Sequence, residues 1–279
     1  MKFQFVDIHT HVNFVAFEKD REEVIQRASD AGVAMINVGT QVDTSKKAIE
    51  MAEKYENCYA IVGLHPVHTS RSFHDEKELG EGGKEFTSRG EQFDTSVYRS
   101  MLKHPKVVGI GECGLDYYHL DEESIKIQRE NFEMQIDLAN EAGKSLMLHV
   151  RSNKESGKSA YKDALEILKA RAKVKGNFHF FAGSWEEAKE ILDFGYTISF
   201  TGVITFARDY DEVIKNAPLD MIMSETDAPY VSPAPFRGKR NEPAHVREVV
   251  KKIAEIRGED YEKVPAQLAE NAGRVFGLW

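Results

Sequence analysis

The sequence predicts an α/β protein folded as a single (β/α)8 TIM barrel, and three observations carry the prediction. Strand-length apolar runs alternate eight times with stretches of helical spacing. Those runs are near-continuous, as in parallel strands buried on both faces. The length of 279 residues suits one barrel of about 250. A doubly wound open sheet is the alternative, but it generally has fewer strands and a Gly-rich first turn, which this chain lacks.

An apolar, β-branched lead-in at residues 3–6 opens the first strand, which runs into Asp7-Ile8-His9-Thr10-His11. Residues 19–31 have helical spacing and stop at Gly32, a suitable C-cap. Residues 33–39 form the second strand and 44–55 a helix. A third strand at 58–66 ends in His65 and Pro66. The alternation continues with helix 96–103, strand 107–112, a long helix 122–142 and strand 145–150. Helix 160–172, strand 176–181, helix 185–194, strand 196–200 and a short helix 210–215 follow. The eighth strand is 221–225, and helices 243–257 and 263–276 close the series. Residues 70–95 break this rhythm. They are polar, contain Gly80, Gly82, Gly83 and Gly90, and are longer than a typical loop. Following the third strand, they are expected to form a flap over the active face, with a solvated insertion of no role as the competing reading.

Hydrophobic residues at 41% and charged residues at 30% describe a globular chain with ample core. No apolar run reaches the roughly 20 residues of a membrane helix. No basic-then-apolar leader opens the sequence, so no signal peptide is expected. Cys58 and Cys113 lie in apolar strand-like stretches and read as reduced thiols of a cytoplasmic protein. No obligate protein partner is evident. A net charge of −9 excludes broad coating of nucleic acid, which needs a basic face. It leaves room for an enzyme that holds phosphates through metal ions and a few arginines.

In a barrel the C-terminal ends of all strands open onto one face, where catalytic residues gather. Here those ends carry His9 and His11, His65, Glu112, His149, His179 and, just past the eighth strand, Asp227. His9 and His11 are two apart, so a strand projects both from one face. Imidazole with carboxylate suits Zn2+, Mn2+ or Fe2+ better than Mg2+, which prefers more oxygens. Four histidines and two carboxylates exceed one tetrahedral site but suit two divalent ions, with Zn2+, Mn2+ and Mg2+ as the candidates. Glu112, from the middle of the barrel order, is the expected bridge. His9, His11 and Asp227 make one site, and His149 and His179 the other. Asp227 is also the expected general base for a metal-activated water.

Other residues carry two readings each. His65 either joins the ligand sphere, contacts phosphate or packs a turn. Asp7 and Glu225 read as structural, or as carboxylates orienting a ligand histidine. Asp116, Tyr117 and Tyr118 follow Glu112, and the tyrosines either stack on a base or pack in the core. Arg151 and the basic run Arg237-Gly238-Lys239-Arg240 lie after strands five and eight, where barrels bind phosphate, or form a solvated face.

Several motifs together resemble the TatD family of metal-dependent hydrolases. They are Asp7-Ile8-His9-Thr10-His11, Gly63-Leu64-His65-Pro66, Gly111-Glu112-Cys113-Gly114-Leu115-Asp116-Tyr117, His149-Val150-Arg151 and Glu225-Thr226-Asp227-Ala228-Pro229-Tyr230. The run Arg237-Gly238-Lys239-Arg240-Asn241-Glu242-Pro243 and residues 195–206 belong to the same resemblance, which extends in order from residue 7 to about 245. The resemblance implies a barrel deoxyribonuclease of the amidohydrolase superfamily, a 3′-5′ exonuclease that cuts DNA with divalent metals. It also implies His9, His11, Glu112, His149, His179 and Asp227 as ligands. The chain departs from the family at Phe180, where relatives carry a small or polar residue, and in the length of the 70–95 segment. The rival enzyme reading is a small-molecule hydrolase of the same superfamily acting on a lactone, amide or phosphoester. Glu112 stands where such relatives often carry a carbamylated lysine, and Arg151, Arg237, Lys239 and Arg240 favour an anionic substrate. A non-catalytic scaffold needs no intact ligand set.

Overall fold

The computed structural model describes residues 3–71, 73–74, 86–119, 121–153, 155 and 157–279. Eight parallel strands follow one another in a single sheet in chain order. They are β1 (Phe5–Thr10), β2 (Val33–Val38), β3 (Cys58–Val62), β4 (Val107–Asp116), β5 (Ser145–Arg151), β6 (Gly176–Phe178), β7 (Thr197–Phe200) and β8 (Ile222–Ser224). The helices between and after them are α1 (Arg21–Asp30), α2 (Val42–Lys54), α3 (Thr95–Met101), α4 (Glu122–Ala142), α5 (Ala160–Arg171), α6 (Trp185–Asp193), α7 (Asp211–Asn216), α8 (Val246–Arg257) and α9 (Val264–Phe276). No helix among the described residues is long and apolar enough to cross a membrane.

The apolar core has two compartments, because successive strand residues face opposite ways. Val6, Ile8, Ile36, Val38, Ile61, Val108, Met147 and Met223 fill the inside of the barrel. Their strand neighbours Phe5, Met35, Ala60, Val62 and Leu148 pack outward against the helices. One end of the barrel interior is stopped by Ala269, Ala272, Val275 and Phe276 of α9 with Leu278. The side-chain amide of Asn271, also on α9, donates to the Leu219 and Ile222 carbonyls at 2.8 Å each, fixing that helix under β8.

The ring closes where β8 meets β1. Asp227 N–H donates to the His9 carbonyl at 2.9 Å, and His11 N–H to that of Ala228 at 2.8 Å. Below them, the buried Asp7 carboxylate accepts from Thr226 N–H at 2.9 Å and from the Thr226 hydroxyl at 2.5 Å. Asp7 is therefore a staple of the seam, one of the two roles its sequence position suggests.

The flap expected over residues 70–95 lies partly outside the described residues, at 72 and 75–85. Of that segment, Phe73–His74 pairs antiparallel with Phe86–Thr87. Its far end is tied to the barrel: the Glu91 carboxylate accepts from Val42 N–H at 3.2 Å, and Glu91 N–H donates to the His68 carbonyl at 2.8 Å.

Candidate metal centre

Six of the eight strands deliver parts of a single cluster, all but β2 and β7. His9 leaves the end of β1, and its Nε2 lies 3.1 Å from His11 Nε2, so the same-face spacing does bring the two rings together. His11 Nδ1 faces the Val38 carbonyl at 2.9 Å, and Phe14 stacks on the ring at 4.3 Å. That carbonyl can only accept, so it keeps a proton on Nδ1, and in the neutral ring Nε2 is the bare nitrogen.

Glu112 sits at the centre. Its Oε2 lies 3.3 Å from His9 Nε2 and 3.7 Å from His11 Nε2. Its Oε1 lies 2.9 Å from His149 Nδ1, 2.8 Å from His179 Nε2 and 3.2 Å from His65 Nε2. Asp227 Oδ1 completes the first group, 3.3 Å from His11 Nε2 and 3.8 Å from His9 Nε2. One oxygen of one carboxylate thus faces each group of histidines. All six residues expected as ligands converge, and His65 joins them. His65 also accepts Val67 N–H on Nδ1 at 3.1 Å, so it caps its own turn while presenting Nε2–H to Glu112.

The backbone is turned to allow this. Phe180 and Asp227, immediately after His179 and past β8, have φ of +44° and +53°. A non-glycine residue there costs on the order of 1–2 kcal/mol. The turn at Phe180 points its N–H at Glu225 Oε1, 2.5 Å away.

The electrostatics follow from burial opposed by close partners. Burial raises the Glu112 carboxyl, but the charges of His65, His179 and His9 and the His149 hydrogen bond hold it well below its ordinary value. Burial likewise opposes ionisation of Asp227, yet His11, His9 and His179 keep it depressed. His179 is disfavoured as a cation by burial but raised well above the usual imidazole value by Glu112 and Glu225. His149 is raised by Asp116 and Glu112 against the same burial. His9 is lowered by burial and by His179, and burial brings His65 down to about 4.

Asp116 is the residue that sequence reasoning left without a role. Its Oδ2 lies 2.8 Å from His149 Nε2, while its Oδ1 accepts Tyr118 N–H at 2.8 Å. Four residues beyond Glu112 on one strand is an even spacing, which puts both on one face, and that signal was available. Tyr117 is fully buried and donates to Asp163 at 2.7 Å, which makes it a core residue. The basic cluster divides. Arg240 pairs with Asp20, at 2.9 and 2.5 Å, and donates to the Ala16 carbonyl, an arrangement that favours the solvated-face reading for this residue. Arg237 lies over the Phe206 ring at 3.8 Å and Arg151 over Tyr118 at 4.2 Å.

Comparison with known proteins gives this arrangement a context. The family described as TatD related DNase matches residues 6–277. The chain belongs to that family. Among its relatives, the metal-dependent hydrolase YabD of Bacillus subtilis strain 168 is 38% identical over 277 residues, 98% of each chain. The 3'-5' ssDNA/RNA exonuclease TatD of Erwinia amylovora is 32% identical over 281 residues, covering 98% of this chain and 99% of its own. The crystal structure of YJJV, a TatD homologue from Escherichia coli K12, matches with a TM-score of 0.82 at 27% identity over 99% of each chain. The family and the (β/α)8 barrel expected from the motifs both hold.

Proposed function

We propose that this TatD-family metal-dependent hydrolase cleaves DNA phosphodiester bonds from the 3′ end, using two divalent ions. His9, His11 and Asp227 would hold one ion and His149 and His179 the other, with Glu112 shared. The observation that carries this reading is the division of Glu112, whose Oε2 faces His9 and His11 while Oε1 faces His149 and His179. The donor chemistry fits, because Nε2 is the bare nitrogen of the neutral His11 ring and converges with ionised carboxylates at 3.3–3.7 Å. Ions bound there supply Lewis acidity toward the phosphate and activate a water for attack.

The chain's own groups do the rest. The Asp227 side chain is 13% exposed against 4% for Glu112, so it is the carboxylate that solvent and substrate reach. Held ionised at neutral pH, it takes the proton of the attacking water. Arg237 and Arg151 hold the nucleic-acid backbone at the rim, and Tyr118 and Phe206 beneath them offer faces for bases. The name of the Erwinia amylovora relative supports a 3′-5′ direction and a single-stranded substrate.

The test is incubation of the metal-reconstituted protein with end-labelled single- and double-stranded DNA. A ladder shortening from the 3′ end is expected. No cleavage with Zn2+, Mn2+ or Mg2+, alongside turnover of a lactone, amide or phosphoester, would transfer the site to small molecules. Glu112→Ala and Asp227→Asn are each expected to lower DNA cleavage by about 10²–10³-fold or more while leaving the fold intact. Undiminished turnover in either variant sinks the two-ion assignment.

A further inference from the structure

A metal-ligating imidazole needs an acceptor on its outer nitrogen to keep the inner one bare. His11 has the Val38 carbonyl and His149 has Asp116. His9 and His179 have no such private partner. Their Nδ1 atoms are buried without a hydrogen bond, and so is Glu225 Oε2. These three orphans face one another: Glu225 Oε2 is 3.5 Å from His179 Nδ1 and 3.9 Å from His9 Nδ1. The two rings stack at 3.8 Å with 15° between their planes, which turns both Nδ1 atoms toward the same oxygen.

We propose that Glu225 is a shared positioning residue, one carboxylate oxygen orienting one histidine of each ion site and so coupling the two sites. The inference rests on the two-ion reading. Glu225 is held for this task, since Phe180 N–H occupies Oε1 and Glu225 N–H donates to the Phe200 carbonyl at 3.1 Å. It is completely buried, so no water competes for Oε2. The same three residues also satisfy the spacing of a metal cluster. A cation there would require both rings to surrender their second proton while bound through Nε2 as well. Two N–H donors against one carboxylate is the lower-energy arrangement.

The two positioning carboxylates predict different signatures. Glu225→Gln is isosteric: its amide carbonyl keeps the Phe180 bond and its NH2 confronts two ring N–H groups. Asp116→Asn does the same to His149 alone, because Tyr118 N–H retains the carbonyl side. Zn2+ affinities are measured by chelator competition on metal-free protein. Glu225→Gln is expected to weaken both binding steps by about 10–100-fold, and Asp116→Asn one step only. Long-range proton–nitrogen spectra of the unaltered metal-free protein at alkaline pH are expected to show His9 and His179 protonated on Nδ1, a reading that needs no variant to fold. Weakening of a single step by Glu225→Gln, unchanged binding, loss of a third ion, or a proton on Nε2 of either ring each overturns the inference. Fewer than two ions on the unaltered protein removes the two-ion reading and the inference with it. Two ions bound without DNA cleavage removes only the substrate.

Discussion

His149 is gripped at both ring nitrogens, by Glu112 and by Asp116, and this sets how the site meets pH. The Asp116 carboxyl, opposed by burial but paired with His149 and near Arg151, falls to about 2. A depressed carboxylate stabilises the fold above its unfolded value, about 3.9, and that stability is lost as pH falls toward 2. A raised imidazole does the reverse: His149 and His179 stabilise the metal-free fold below about 6.5 and cease to do so as pH rises through their folded values. Ion uptake must displace those protons, together with that of His11, whose Asp227 and Glu112 neighbours also raise it against burial. Zn2+ affinity is therefore expected to climb steadily from pH 6 to pH 8. Chelator competition across that range measures it, and a flat profile counts against the assigned protonation. The converging residues were legible because they stand at strand ends; the protonation pattern was not, since it depends on outer partners such as Val38, Asp116 and Glu225 supplied by other strands.

Most elements could be read to within a residue or two, and α4 along its full length, because Asp121 caps its start and Gly143 its end. The misreadings are local, and the expected strand at 58–66 is one of them: it ends at Val62, and Pro66–His68 form a tight helical turn instead. The expected strand at 176–181 ends at Phe178, because Phe180 turns into left-handed backbone that no β-pattern foretells. The expected strand at 107–112 continues to Asp116, past Gly114. In the structure Gly114 is what lets β4 lie against β5: a Cβ there would stand 2.1 Å from the His149 carbonyl, at φ of +142°. Stopping the strand early is also why Asp116 was missed. Gly114→Ala is expected to destabilise the protein by about 3 kcal/mol or more and to loosen zinc at the His149 site. Thermal unfolding of the metal-free variant tests the first, and wild-type stability there contradicts the close approach.

Across the whole molecule, the seam between β8 and β1 decides whether the donors meet. Asp7 spans it with buried bonds, so Asp7→Ala strands the Thr226 N–H and hydroxyl and is expected to cost about 2–4 kcal/mol. The same seam carries surface ion pairs, Arg240 with Asp20 and Arg27 with Glu242, the latter at 2.7 Å. These side chains are partly exposed, so Arg240→Ala is expected to change stability by no more than about 1 kcal/mol. Denaturant titration of the two variants separates a buried staple from a solvated one, and equal losses would count against this ranking. Arg240 was grouped with substrate-binding residues because a single sequence lists its basic neighbours and cannot show an aspartate 220 positions earlier. Arg237, by contrast, is exposed over Phe206, and Arg237→Ala is expected to weaken DNA binding several-fold more than hydrolysis of a small phosphodiester. Equal losses on both substrates would remove its backbone-binding role.

The closure of the ring by its last strand, with α9 plugged into one end of the interior, also imposes an order in time. His9 and His11 are synthesised first, yet their partner Asp227 emerges more than two hundred residues later, and the stopper Val275, Phe276 and Leu278 later still. A nascent chain still missing β8 can present two histidines but not the pocket that ranks one cation over another. A centre that needs Asp227 beside His9 and His11 is therefore assembled only when the last strand has closed the ring.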